Sequence, residues 1–355
     1  MTLDKPFTVD RTALSDTIEP RTLIDDLLEV TAVGSFTSIG PAVRRRLFGW
    51  TSPRPDVLAG QTALVTGPTS GLGRQVVDEL AALGARVVLV GRDRDRLTTV
   101  RDGLIVRHGA DRFPIVVADM GSLVSVRAAA ERVLTSERRL DVLIDNAGAI
   151  FPERTIGPDG IESTLATMVV GPFALVDGLL PLLRRTPGAR VIAVTSGGQY
   201  AQALDLDDLQ SAGGDYDGTR VYARAKRAQV SLIREWARRL GGAGIRFDAM
   251  HPGWADTPGL WHALPGFARL MRPLLRTAAE GTDTLVWLAA TRETDAPGGW
   301  LWLDRRPRPF DRVPMTRVTG ADRRRLWDLV VELSDLPDPA PDHRPVLATD
   351  ARRHR

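Results

Sequence analysis

Tyr222 and Lys226 stand four residues apart in "GTRVYARAKRAQV". The chain has three tyrosines, and two of its 47 Lys and Arg residues are lysine, Lys5 and Lys226. On a helix the spacing puts both side chains on one face. A phenol there can give or take the proton of a carbonyl–alcohol interconversion. Its ordinary pKa of about 10 is too high for a base at neutral pH. A fixed ammonium beside it favours the phenolate, and a shift of ~3 units corresponds to ~4 kcal/mol of differential stabilisation. A compact ammonium can also bond ribose hydroxyls, where arginine's planar fork fits differently. That is a physical reason for lysine in an arginine-biased chain. The alternative is an exposed helix with chance residues.

A second stretch, "TGPTSGLG" (Thr66 to Gly73), follows the apolar run "TALVT" and precedes the helical pattern "QVVDELAALG". In doubly wound folds this turn meets the pyrophosphate of a dinucleotide. Gly67 permits the tight turn, Gly71 lets the backbone approach the phosphates, and Gly73 lets helix and strand pack closely. The helix N-terminus adds free N–H groups and partial positive charge. The end of the next strand, "RVVLV", carries Gly91 and Arg92 where NAD would require an acid. A guanidinium there can hold a 2′-phosphate, so NADP(H) is expected over NAD(H). Asp93 is the residue that argues the other way.

These residues need a scaffold, and the pattern supplies one. Apolar runs at 62–66, 86–90, 113–119, 141–145, 190–196, 245–250 and 300–303 alternate with helical stretches at 75–84, 94–109, 122–138, 160–185, 219–241 and 277–290. Strands this apolar belong to a parallel sheet covered on both faces. The fold class expected is α/β, a doubly wound parallel sheet (Rossmann fold), as a single domain with N- and C-terminal extensions. The boundaries expected are 1–58 for the N-terminal extension, 59–304 for the dinucleotide-binding domain and 305–355 for a Pro- and Arg-rich tail. One helix, "ADRRRLWDLVVELSDL", is expected in the tail. Around Val43, Leu47, Phe48 and Trp50 a short amphipathic helix is expected to cover the domain's apolar flank. A peripheral membrane contact through residues 35–50 is the other reading. Arg44, Arg45 and Arg46 are expected to form a solvated face.

With these residues in place, the chain resembles the short-chain dehydrogenase/reductase family over about 59–304. "TGPTSGLG" resembles its cofactor loop and "DNAG" (Asp145 to Gly148) its segment after the fourth strand. "VTS", "YARAK" and "PGWADT" resemble its serine, its Tyr-x-x-x-Lys and its nicotinamide-side loop. The resemblance implies Ser196, Tyr222 and Lys226 as catalytic residues. It implies cofactor contacts from Gly67, Thr69, Ser70, Gly71, Leu72, Gly73, Arg92, Asp119, Met120, Asn146, Ala147, Gly148, Tyr222, Lys226, Pro252, Gly253 and Thr257. One departure stands out. Asn146 is the only asparagine. The family has a second, holding a water that links the lysine to solvent, where this chain has Met168. A catalytically weak or inactive NADP(H)-binding regulatory or scaffold protein is therefore the alternative.

The family uses the region after Thr257 as a substrate lid, here about 257–276. Leu260, Trp261, Leu264, Phe267, Leu270, Met271 and Leu274 make it apolar, which implies an apolar ketone, aldehyde or secondary alcohol. The same residues could instead pack on the core or on a second copy, so a homo-oligomer stays open. His251 and His262 are expected to be structural or incidental.

Other chemistries are disfavoured. There are no cysteines, which excludes disulfides and thiolate chemistry, and the five histidines lack ligand spacing, so no metal is expected. The formal net charge is +3 with bases scattered among acids, so nucleic acid is not expected. No run of eighteen apolar residues and no signal-peptide pattern occurs, so a cytoplasmic location is expected.

Overall fold

The apolar runs form an eight-stranded sheet in the order β3-β2-β1-β4-β5-β6-β7-β8. This is seen in a computed structural model describing residues 20–109, 112–291 and 298–341. The outer parts of both extensions, with His343 and His354, lie outside the described residues. The strands are β1 Thr62–Thr66, β2 Arg86–Gly91, β3 Ile115–Val117, β4 Val142–Asp145, β5 Arg190–Val194, β6 Arg246–Met250, β7 Leu301–Leu303 and β8 Arg306–Arg308. β1 to β7 run parallel, and β8 alone is antiparallel.

Alternate residues of each buried strand feed opposite layers. In β1, Ala63 and Val65 join one apolar cluster and Leu64 the other. The helices α4 Gly71–Ala82, α5 Arg94–His108 and α12 Ala278–Ala290 cover the first face. The second face is covered by α6 Leu123–Ser136, by α7 Ser163–Leu165 and α8 Gly171–Arg184, and by α9 Gly218–Leu240 and α13 Gly320–Ser334. A π turn, Ala166–Val170, joins α7 to α8 into one stretch and carries Met168. That stretch, Ser163–Arg184, is long and apolar enough to cross a membrane, but 78% of its most apolar window is buried inside the protein. It is the core helix of the second layer.

β1 sits between β2 on one side and β4 on the other, and connections from the two halves leave in opposite directions. The crevice at the carboxyl ends of these strands is where such sheets take ligands.

The N-terminal segment forms α1 Pro20–Val30, α2 Ala32–Phe36 and α3 Ile39–Leu47. Here one expectation is corrected. Arg44 is not part of a solvated face, for it is 0% exposed. Its guanidinium pairs with Asp25 at 2.6 Å, Glu29 at 3.0 Å and Asp304 at 2.6 Å. Three carboxylates replace the water that the charge gives up. Arg45 and Arg46 stay exposed, and Val43, Leu47, Phe48 and Trp50 are only half-buried. Trp50 lies under the guanidiniums of Arg45 and Arg305, and Phe48 under that of Arg306.

The tail holds the expected helix, α13, and also β8, which the sequence pattern did not suggest. A two-residue turn, Asp304 and Arg305, joins β7 to β8 with φ of 53° and 56°. Beyond it, Phe310 O accepts from buried Arg227 of α9 at 2.6 Å, so the tail is bound to the helix that carries Tyr222 and Lys226.

Candidate active site

The glycine turn has the expected geometry. Gly67 and Gly71 have φ of 66° and 52°, where L side chains are strained. A Cβ on Gly73 would lie 2.1 Å from Gly67 O, so only glycine lets α4 approach the strand this closely. Ser70 is the N-cap of α4, yet its side chain makes no capping bond. Its hydroxyl and the first-turn N–H groups are open to an anion. Thr69 and Leu72 are half-buried beside them.

Asn146 holds this turn in place. Its Nδ2 donates to Thr66 O at 3.0 Å and Gly67 O at 3.2 Å. Thr66 Oγ1 accepts from the N–H groups of Asn146 and Ala147. Gly148 is exposed at the same edge. At the end of β2, Arg92 is exposed and has no hydrogen-bond or ion-pair partner among the described residues. Asp93 instead caps α5, accepting from Arg96 N at 3.0 Å. After β3, Asp119 is exposed and its Oδ1 accepts from Gly121 N, while Met120 is buried.

Opposite the turn lies the loop after β6. Pro252 is buried, and Gly253 has φ of 73°. A Cβ on Gly71 would touch the Thr257 side chain at 3.5 Å, so the two loops face each other across the crevice. Thr257 caps α10 Pro258–Ala263, followed by α11 Pro265–Met271 and a 3-10 turn, Arg272–Leu274. This is the region expected as a lid. Phe267 packs on Trp254 with ring centres 4.9 Å apart, whereas Leu264 and Leu270 are 40% and 77% exposed.

Ser196 follows β5 and Tyr222 rises from α9, and their hydroxyls interact. Lys226, 3% exposed, lies one turn further on. Its Nζ donates to Val194 O at 2.8 Å and Gln229 Oε1 at 2.9 Å. Burial pushes the Tyr222 phenol up to about 12, and the neighbouring Ser196 hydroxyl pulls it back only in part. Lys226 makes no hydrogen bond to the phenol among the described residues. Its Nζ is 5.8 Å from the ring centre, with two of its N–H bonds directed elsewhere. Burial also brings the Lys226 ammonium down to about 8, against the opposing pull of Asp145. Desolvation is the largest influence on both groups, Lys226 being almost fully buried and Tyr222 partly so.

Three contributors were not legible from motifs. Gln229 touches Lys226. Arg276, 1% exposed, donates to Asp304 and to the carbonyls of Ser35, Phe36 and Thr37 while pressing on Gly253. Phe36 stacks near His251, Trp254 and Tyr200 and lies against Gly197, the residue after Ser196. Only Gln229 had a signal, its i+3 spacing from Lys226. Neither His251 nor His262 joins the tyrosine and lysine. His251 is buried beneath Phe36, and His262 is exposed. No group of three or more metal-ligating side chains occurs among the described residues.

A doubly wound sheet with a glycine turn facing a Ser, Tyr and Lys cluster defines a dinucleotide-dependent oxidoreductase. The short chain dehydrogenase profile matches residues 61–264, and the chain belongs to that family. It is 39% identical over 280 residues to human dehydrogenase/reductase SDR family member 12, covering 78% of this chain and 87% of that one. It is 32% identical to human retinol dehydrogenase 14 over 310 residues, covering 82% and 90%. Among solved structures it is similar to the Pseudomonas aeruginosa RhlG/NADP active-site complex, with a TM-score of 0.57 and 26% identity over 70% of this chain and 96% of that one. The protein is thus an oxidoreductase of a family that binds NAD(P) and acts on small carbonyl or alcohol substrates.

Proposed function

We propose that the protein transfers hydride between NADP(H) and an apolar ketone or aldehyde, or the matching secondary alcohol, with Tyr222 as proton donor and acceptor. The observation that carries this is the meeting of Ser196, Tyr222 and Lys226 at the crevice between the glycine turn and the Thr257 loop. The residues fit a dinucleotide: the N-terminus of α4 is uncapped by its Ser70 side chain, and Gly71 leaves room for a phosphate against the backbone. When bound, the nicotinamide supplies or accepts the hydride.

In the reducing direction, Ser196 Oγ donates a hydrogen bond to the carbonyl oxygen. Tyr222 gives that oxygen its proton as negative charge develops. A phenol held up near 12 stays protonated at neutral pH, which suits reduction. Alcohol oxidation needs the phenolate, so it should rise with alkaline pH. Lys226 has a third N–H for ribose hydroxyls, two being engaged within the protein. Arg92, exposed and without a partner among the described residues, supports NADP(H) through a 2′-phosphate, and Asp93 does not oppose it because its carboxylate caps α5. The apolar lid, and a relative named for retinol, support an apolar substrate.

The test is oxidation of NADPH and NADH with a panel of apolar aldehydes and ketones, wild type beside Tyr222→Phe. NADPH turnover that falls at least about 100-fold in the variant is expected. Turnover retained in Tyr222→Phe would overturn the assignment.

A further inference from the structure

Lys226 is almost fully buried, and its orientation must come from the groups its Nζ meets. One is a main-chain carbonyl, Val194 O, and the other is a side chain, Gln229 Oε1. Met168 flanks the same space. A Cβ on Gly148 would lie 3.8 Å from both Lys226 Nζ and Met168 Sδ. A thioether is a weak acceptor and cannot orient an ammonium. The side-chain contribution to holding Lys226 therefore falls on Gln229.

An amide can present its oxygen or its nitrogen, and a wrong choice would point donors at a cation. Asp145 removes the ambiguity. Gln229 Nε2 donates to Asp145 Oδ2, which leaves Oε1 turned toward Lys226. Asp145 ends β4, is 4% exposed, and its Oδ1 has no hydrogen-bond partner among the described residues. Asp145 and Gln229 also line a cavity of about 30 Å³ whose other walls include Phe173, Val191 and Trp236. That is enough room for one water beside the carboxylate. Lys226 is the charged group that faces Asp145. Thr66, Val169, Phe173, Val191 and Ala193, contributed by the neighbouring elements, are uncharged.

We propose that Asp145 and Gln229 are positioning residues for Lys226, Gln229 holding the ammonium and Asp145 fixing the amide and supplying the buried counter-charge. Gln229 gives Lys226 a side-chain hydrogen bond that the Met168 thioether beside it cannot. The inference rests on the proposed role of Lys226 but can be tested apart from turnover.

The chain's lysine usage allows a direct test. With Lys5→Arg as background, Lys226 is the only lysine, so ε-13C labelling gives one titrating resonance. Gln229→Leu removes both amide bonds. Asp145→Asn keeps the shape and, with its carbonyl, an acceptor for Gln229, but removes the charge. Both variants should lower the Lys226 pKa, by about one unit each, because each removes a partner of the charged form. In turnover, Gln229→Leu should lower kcat by about 10- to 100-fold with the NADPH dissociation constant changed far less. Gln229→Asn should not restore it, being too short to span both partners. A Lys226 titration and a kcat pH profile unchanged in Gln229→Leu and Asp145→Asn would overturn the inference. If wild type shows no turnover but the lysine titration moves as expected, the anchoring stands and the reductase reading fails.

Discussion

At the end of β6, His251 is 1% exposed and packs on Phe36 with ring centres 4.4 Å apart. Its Nδ1 accepts from Gly253 N at 2.7 Å, which fixes the neutral tautomer with hydrogen on Nε2. Burial first, and the Arg276 charge second, bring its pKa from 6.5 down to about 3. A base depressed in the folded state contributes stability that is present above its unfolded pKa. That contribution is lost as pH falls from 6.5 towards 3. Two pH units below 6.5 the loss amounts to about 3 kcal/mol. His251→Asn keeps an acceptor for Gly253 N but does not titrate. Urea unfolding of both proteins at pH 7 and pH 4.5 should show the wild type losing about 3 kcal/mol more than the variant. Carboxylates with lowered pKa, such as Asp25 and Glu235, lose stability in both proteins and cancel in the difference. Equal losses would mean that His251 is solvated enough to titrate normally.

The β7–β8 hairpin shows how one element ties the ends of the chain together. Its two turn residues both have positive φ, a conformation usually given to Asn-Gly or Asp-Gly. Asp304 tolerates it, and its carboxylate accepts from Arg44 at 2.6 Å and from Arg276 at 2.7 and 3.0 Å. Arg308 of β8 reaches Asp25 of α1 at 2.9 Å. Asp304→Asn keeps the local backbone preference but leaves two buried guanidiniums short of a counter-charge. Denaturant unfolding should show a loss of about 3–5 kcal/mol. A loss under about 1 kcal/mol would mean that Asp25 and Glu29 suffice. The turn was hidden in the sequence because Arg305 stands where glycine is usual and Pro307 sits inside β8. Pro307 is tolerated because β8 is an edge strand, paired on one side only.

Across the whole molecule, the crevice joins segments far apart in the chain. Phe36 O accepts from Trp254 N at 2.7 Å, and Ser38 N donates to Leu274 O at 3.0 Å, so the N-terminal helices close the base of the lid. Phe36, Trp254 and Phe267 form a continuous line of rings from the extension into the lid. Phe36→Leu removes part of that line at a cost of about 1 kcal/mol in stability. It should reorder kcat/KM across carbonyl substrates of increasing length by several-fold. Fluorescence titration should show NADPH affinity changed by less than about twofold. An unchanged substrate order would leave the extension a purely supporting role. Nothing in residues 20–47 alone suggests such a contact, because its partners lie more than two hundred positions away.

The seven parallel strands were legible because each is a short apolar run ended by a turn, and alternation with helices fixes the sheet type. The glycine turn and the Tyr222–Lys226 pair were legible for a related reason. Phosphate approach needs glycine at set places, and a helix face needs a set spacing, and both are local constraints. What the sequence could not settle is every feature decided by burial and by distant partners. Arg44 goes inside because Asp25, Glu29 and Asp304 converge on it. Tyr222 rises towards 12 because desolvation outweighs the opposing pull of Ser196. Asp145 sets the Gln229 amide from 84 positions away. Local pattern carries the backbone and the reacting groups. Desolvation and long-range pairing, which depend on the assembled fold, determine how those groups are charged and held.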